Sequence, residues 1–126
     1  MAFVRHLAGT ALLLAGLHAA AAAADEFTDP GRRIFERRCL GCHEGTPPSA
    51  ATLGPGLAGI FGRKVGTEHS GVHSRAALES DTVWTRSSLR RFLSNPEREM
   101  PGTLMPVQVR DPKELDDLLN YLQMLH

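Results

Sequence analysis

Two cysteines and a histidine in the run "CLGCH" are the residues of this chain best suited to chemistry. Cys39 and Cys42 are the only cysteines among its 126 residues, and His43 follows the second cysteine directly. Thiols at this spacing form redox-active disulfides, provide part of a zinc site, or bond covalently to a prosthetic group. These uses require different surroundings for the motif, so the remaining sequence can distinguish them.

Two of these roles, and a purely structural disulfide as well, find little support elsewhere in the sequence. A thioredoxin-like dithiol belongs to a fold of alternating strands and helices, and no strand pattern is evident here. A structural zinc site needs four regularly spaced ligands, whereas the histidines outside the first 24 residues, at 43, 69, 73 and 126, form no second paired motif. A structural disulfide across two residues would close almost no loop and would stabilise the fold little. The run Cys-x-x-Cys-His is instead typical of covalent attachment of a c-type haem, with the histidine positioned to bind the iron.

The first 24 residues are predicted to be a secretory signal peptide, which leaves one domain over residues 25–126. Arg5 precedes a short run of apolar and small residues that ends in alanines near Ala24, and acidic residues follow at once. The run is short and weakly apolar for a membrane span of about 20 residues, although an uncleaved anchor is the alternative. Cleavage would place a protein without stable membrane insertion in the periplasm.

The charge of the mature domain is nearly balanced. Without Arg5 the chain has 13 basic residues against 14 acidic residues, so the expected net charge is −1. A nucleic-acid partner would require a clear basic excess, so this class of partner is not expected.

Helix caps locate the elements that position the cysteine motif. Thr28 or Asp29, followed by Pro30, predicts a first helix that ends at the motif. Thr85 predicts the start of a second helix, which the dipeptide "NP" at 95–96 ends. Asp111 predicts the start of a last helix, in which leucines at 115, 118, 119, 122 and 125 form an apolar stripe.

The middle of the domain is expected to be mostly loop. Residues 45–74 show no periodicity, and only a short helix is expected around "SRAALES". A small domain with long loops has a thin apolar core and needs a further stabilising element. A haem at the centre would provide apolar surface on which these loops can pack.

With His43 on one side of the haem iron, the other side is either open or taken by a second residue, and a methionine there would favour the ferrous state. Met105 lies in the loop "PGTLMP", where no regular structure requires it, so it is preferred to Met100. Met124 is expected to be a core residue at the end of the last helix. His69 and His73 are rival ligands, although their loop predicts that both are solvated.

The order and spacing of several segments resemble the class I cytochromes c, in particular the mitochondrial-like and bacterial c2 types. The segments are "GRRIF" before "CLGCH", then "LGPGLAGIFGRKVG", "VWTRSSLRRFLSNP", "PGTLMP" and "DLLNYL". The resemblance implies an all-α fold in which the N- and C-terminal helices pack together and loops wrap around one covalent haem c with its iron. It also implies a soluble single-electron carrier, not an enzyme, because ligands at both axial positions leave no open coordination site.

The resemblance further implies roles for individual residues around the haem. Cys39 and Cys42 would attach it, and His43 and Met105 would bind the iron. In these roles the carbonyl of Pro55 would accept a hydrogen bond from the histidine, which fixes its orientation.

Other implied roles concern the haem propionates and the helix pair. Arg63 and Trp84 would lie by a propionate, and Thr103 would form a hydrogen bond in the methionine loop. Gly31 and Phe35 would pack the first helix against the last, where they would meet Leu118 and Tyr121.

Several positions depart from the pattern of the family. Phe92 replaces a tyrosine that is usual beside the methionine sulfur, and a tyrosine often found near a propionate is missing around "GVHSRA". Leu104 replaces a lysine, and Glu97 and Glu99 stand where basic or aromatic residues are common. The ring of lysines that steers mitochondrial relatives to their oxidase is therefore thin, so that partner is not assumed.

The partners implied by the resemblance are redox proteins. The donor would be a dehydrogenase or a cytochrome complex, and the acceptor an oxidase, a reductase or a reaction centre. The alternative is a haem protein with a labile methionine ligand that binds peroxide, CO or NO, since Phe92 loosens the surroundings of Met105.

Overall fold

The computed structural model describes residues 29–43 and 53–126, so the predicted signal peptide lies outside the described residues. These ranges contain five helices: α1 (Pro30–Arg38), α2 (Arg75–Leu78), α3 (Arg86–Ser94), α4 (Pro96–Glu99) and α5 (Pro112–Met124). They contain no strand, only one antiparallel bridge between Lys64 and Val83. None of the described helices is long and apolar enough to cross a bilayer. The all-α prediction is confirmed.

Helix α1 leads directly into the cysteine motif. Asp29 caps its start, where the carboxylate accepts a hydrogen bond from the Gly31 amide at 2.8 Å. At the other end, the amides of Cys42 and His43 donate to the carbonyl of Cys39 at 3.0 and 2.8 Å. The chain therefore makes one further turn beyond the helix, and this turn holds the motif.

Helix α1 packs against α5, as the resemblance implies. A Cβ on Gly31 would clash with the Asp117 carbonyl and lie 2.7 Å from the Cβ of Tyr121, so the two backbones approach closely. The rings of Phe35 and Tyr121 lie 5.3 Å apart at 52°. Leu118 is fully buried in the core. The two ends of the domain are thus joined in one apolar layer.

Helix α3 begins with a reciprocal cap, in which Thr85 and Ser88 each bond the backbone of the other. Its end at Asn95 was predicted, but the same residue also caps α4, a four-residue helix that the sequence did not predict. Four residues carry no helical periodicity, so only the local cap could have indicated this turn. The short helix predicted around "SRAALES" is present as α2, capped by Ser74.

Helix α5 begins at the predicted cap, because the Asp111 carboxylate accepts from the Glu114 amide at 2.8 Å. All five leucines of its stripe are buried. The prediction that Met124 is a core residue is wrong, since the residue is 57% exposed. It lies in the last turn of the helix, between Leu122 and Leu125, which fill the buried positions there.

Candidate functional site

The cysteine motif and the methionine loop open onto one cavity of about 470 Å³. Its walls come from the motif, from residues 53–57, from α3 and from the loop that precedes α5. Most of the wall is apolar, with Leu57, Ile60, Val65, Leu89, Phe92, Leu93 and Leu122 among its residues. This volume and lining are those of a site for a cofactor-sized ligand.

One nitrogen of the His43 ring is bound and the other is available. Nδ1 of His43 lies 2.7 Å from the carbonyl oxygen of Pro55, so the contact expected between these residues is present. A carbonyl only accepts hydrogen bonds, so Nδ1 carries the proton, and in the neutral ring Nε2 keeps its lone pair. This tautomer is the one that a metal-binding histidine requires.

Two glycines that were not assigned roles from the sequence form a backbone layer against this ring. A Cβ on Gly54 would lie 2.7 Å from Nδ1 of His43, and a Cβ on Gly71 would clash with the Gly54 carbonyl. Gly71 also has a φ of 71°, in the left-handed region that favours glycine. Local sequence patterns did not indicate these contacts, because the residues are brought together by loops without periodicity.

The two cysteines line the cavity as free thiols in different environments. Cys39 is buried whereas Cys42 is exposed. Burial raises the pKa of the Cys39 thiol to about 11, although the charge of Arg38 acts in the opposite direction. A thiol in this state lacks the thiolate character of a dithiol oxidoreductase. In addition, the described residues contain no cluster of three or more histidines, cysteines or carboxylates that would hold a metal such as zinc.

Two methionines line the cavity, and the sequence favoured one of them. Met105 is half-buried and packs against the core, and its amide donates to Oγ1 of Thr103 at 3.3 Å. The amide of Thr103 in turn donates to the carbonyl of Met100 at 3.0 Å, so Thr103 forms two hydrogen bonds within the methionine loop. Met100 is more deeply buried, at 9% exposed.

The two histidines of the middle loop differ from each other. His69 is exposed, as predicted. The same prediction is wrong for His73, which is half-buried and lines the cavity, with Nε2 2.7 Å from the carbonyl oxygen of Glu68. The difference arises because the loop folds back over the cavity instead of extending into solvent.

Arg63 and Trp84 both line the cavity, and the Trp84 amide donates to the Arg63 carbonyl at 2.9 Å. The guanidinium donates to the carbonyls of Gly56 at 2.7 Å and Ala58 at 3.1 Å. The ring of Trp84 lies 5.2 Å from that of Phe92. The Arg63 guanidinium is also 2.6 Å from the Glu68 carboxylate, a contact that was not predicted from the sequence.

These groups together fit a covalently bound haem. Two thiols, a correctly protonated imidazole and a thioether converge on one apolar cavity of cofactor size. Thioether bonds and axial ligands of c-type haem require these functional groups.

Comparison with known proteins leads to the same cofactor. The family model for cytochrome c matches residues 28–126. Cytochrome c2 of Blastochloris viridis is 33% identical over 124 residues, which cover 98% of this chain and 95% of that protein. Cytochrome c of Chlamydomonas reinhardtii is 36% identical over 94 residues, which cover 74% and 84% respectively.

A solved structure supports the fold assignment. The structure of cytochrome cH from Methylobacterium extorquens superposes with a TM-score of 0.66 at 31% identity, over 75% of this chain and 94% of that one. The chain therefore belongs to the cytochrome c family of haem-based electron carriers, and its cofactor is a covalently bound haem c.

Proposed function

We propose that this chain is a soluble periplasmic carrier of single electrons, with His43 and Met105 as the axial ligands of its haem iron. The observation that supports this most directly is the His43–Pro55 hydrogen bond, because it leaves Nε2 available for a metal at the wall of an apolar cavity. Cys39 and Cys42 enter the same cavity and would hold the porphyrin through two thioether bonds.

The protein groups set the electronic properties of the site. When bound, the haem provides an iron that cycles between the ferric and ferrous states. The Met105 thioether would favour the ferrous state, and the hydrogen bond to the Pro55 carbonyl would make the His43 imidazole a stronger donor to the iron. Arg63 and Trp84 would provide a cation and an N–H donor for the propionates, and Thr103 would hold the loop that carries Met105.

If His43 and Met105 both hold the iron, no position on it would remain at which a substrate could bind. We therefore propose that the protein moves electrons between redox proteins and is not an enzyme. The donor would be a dehydrogenase or a cytochrome complex, and the acceptor an oxidase, a reductase or a reaction centre.

Docking would use the rim of the cavity. Leu53 and Leu104 line the cavity and are nevertheless 72% and 68% exposed, so apolar side chains lie at its mouth. Arg38 also lines it, but is paired with Glu114 at 3.0 Å. A small apolar rim with few free charges suits the brief encounters of electron-transfer proteins.

The periplasmic location is supported by the sequence of residues 1–24, with a basic start, an apolar run and alanines before the acidic residues. In this proposal the mature protein is the haem domain at 25–126. Mass spectrometry of the protein isolated from a periplasmic extract would determine the first residue.

Visible and near-infrared spectra of the protein, made together with a cytochrome maturation system, test the proposed ligands. We expect a covalent low-spin haem with a thioether-to-iron band when oxidised, and no spectral change when CO is added to the reduced protein. A rapid change with CO would mean that Met105 is labile and would favour a role in binding small gases or peroxide. Absence of covalent haem would contradict both functions.

A further inference from the structure

Glu68 is the only carboxylate among the described residues that line the cavity. The other charged side chains there are those of Arg38, Arg63 and Lys64. Arg38 and Lys64 pair with Glu114 and Asp81, neither of which lines the cavity. The negative charge of Glu68 is therefore the one that the protein places in the wall of the haem site.

The Glu68 carboxylate is held from several directions. One oxygen lies 2.6 Å from the guanidinium of Arg63, and the side chains of this pair are only 26% and 21% exposed. The other oxygen accepts from the amide of His69 at 3.1 Å and from the hydroxyl of Ser70 at 3.3 Å. The carboxylate therefore has a fixed position relative to the cavity.

The charge state of Glu68 follows from these contacts. Burial raises the pKa of the carboxyl, but Arg63 and the hydrogen bonds from Ser70 and His69 outweigh it, so the pKa lies below its ordinary value of 4.5. The group is ionised at neutral pH. His73 approaches only the backbone carbonyl of Glu68, so it does not neutralise the carboxylate directly.

A fixed negative charge in this wall acts differently on the two states of the iron. The ferric site carries one more positive charge than the ferrous site, so a nearby anion stabilises the ferric form. Screening by solvent is limited for a partly buried pair. Resting on the proposed function, we propose that Glu68 lowers the reduction potential of the haem, both directly and because it offsets the positive charge of Arg63.

A charge series at this position tests the proposal in the haem-loaded protein. Glu68→Asp keeps the charge, Glu68→Gln removes it while keeping an acceptor for Ser70, and Glu68→Lys reverses it. At a fixed applied potential we expect the ratio of reduced to oxidised haem to rise about threefold for Gln and more for Lys, and to stay close to wild type for Asp. Spectroelectrochemical titration at pH 7 and moderate ionic strength measures these ratios.

Glu79→Gln is the matched control, because it removes the same charge from an exposed pair with Arg75 that does not line the cavity. Equal ratios in Glu68→Gln and Glu79→Gln would overturn the proposal. A shift accompanied by loss of the thioether-to-iron band would also overturn it, because Glu68 would then act by holding the ligands in place. If one of the three Glu68 variants does not bind haem, the ratios of reduced to oxidised haem in the other two, compared with wild type, still test the proposal.

Failure of this proposal is distinguishable from failure of the proposed function. A wild-type protein without a low-spin haem would contradict the carrier function whatever the variants show. A normal wild-type spectrum with potentials that do not depend on the charge at position 68 would contradict only the role of Glu68.

Discussion

The imidazole of His43 is flanked by backbone atoms, and this makes Gly54 a position where one methyl group should be harmful. In Gly54→Ala the new Cβ would overlap the ring and displace it from the Pro55 carbonyl. We expect a loss of about 1–3 kcal/mol in the free energy of unfolding, as in other overpacked sites, together with an altered haem spectrum. Urea denaturation and absorption spectra of the holoprotein measure the two effects.

Gly41→Ala provides the control for this change, since a Cβ at Gly41 would meet nothing within 4 Å. It adds the same methyl group within the cysteine motif itself without touching the imidazole. Equal stability and spectra for the two variants would show that Gly54 does not position the ring.

The choice between the two methionines of the cavity is also decided at single residues. We expect Met105→Ala to remove one ligand of the haem iron, so that the reduced protein binds CO there and its visible spectrum changes. Met100→Ala should leave CO without effect but lower the free energy of unfolding by about 2–5 kcal/mol, because it empties a site that is 9% exposed. The reverse pattern would identify Met100 as the ligand.

The Arg63–Glu68 pair gives stability a defined dependence on pH. The pKa of Glu68 is depressed in the folded state, so the stability that the pair contributes is present above about pH 4.5 and is lost as pH falls through the folded pKa. Wild type should therefore lose more stability than Glu68→Gln when denaturation is repeated between pH 7 and pH 3. Parallel curves for the two proteins would contradict this linkage.

The sequence was a better guide to which chemical groups line the site than to how buried each group is and what it contacts. The thiols, the imidazole and the Met105 thioether that line the cavity were all singled out from the sequence, the first three by their spacing and Met105 by its place in an irregular loop. Glu68 was missed and His73 was wrongly expected to be solvated. Their positions depend on how the loop before α2 folds over the cavity, and no periodic pattern records that path.

At the scale of elements, the contact between α1 and α5 depends on a glycine inside a helix. Gly31 lies in the first turn of α1, and replacing glycine by alanine normally stabilises a helix, by up to about 1 kcal/mol at interior positions. Gly31→Ala should instead destabilise the protein by about 1–3 kcal/mol, since the Cβ would clash with the backbone at Asp117. The two effects change the free energy of unfolding in opposite directions, so urea denaturation of Gly31→Ala shows which of them dominates.

Arg33→Ala on the exposed side of α1 is the control for this interface. It changes the same helix without reaching α5, so only a small change in stability is expected. A stabilised Gly31→Ala protein would mean that the two helices can separate without cost.

The helix boundaries were largely predictable because caps are local. Asp29, Thr85 and Asp111 cap helices at the predicted positions, and in each case the side chain accepts a backbone hydrogen bond of the first turn. Helix α4 and the exposure of Met124 were not predicted. The four residues of α4 carry no helical periodicity, and in the last turn of α5 the apolar pattern does not specify which side faces the core.

At the scale of the whole molecule, the cofactor and the fold depend on each other. Half-buried and exposed apolar side chains such as Met105, Leu53 and Leu104 line the cavity. Among the helices that the structure describes, direct packing is limited to the pairs α1–α5, α3–α4 and α3–α5. The sequence predicted this dependence from the length of the loops, although it could not predict their paths. A domain of this size with so large an apolar cavity at its centre has too little internal contact to offset the entropy of ordering its loops.

Removal of the covalent attachment should therefore affect folding as well as colour. We expect the double variant Cys39→Ser, Cys42→Ser to carry no covalent haem and to lose most of its far-ultraviolet helix signal, because α1 then loses its link to the centre of the domain. The single variant Cys42→Ser keeps one thioether position and should retain part of both signals. Denaturing the double variant would check that no haem remains attached to the chain. If the variant without haem nevertheless kept its full helix content, α1 and α5 would suffice to hold the fold. In that case the cavity would form without the haem, and the conformation of the long loops would depend on the backbone contacts around Gly54 and Gly71 alone.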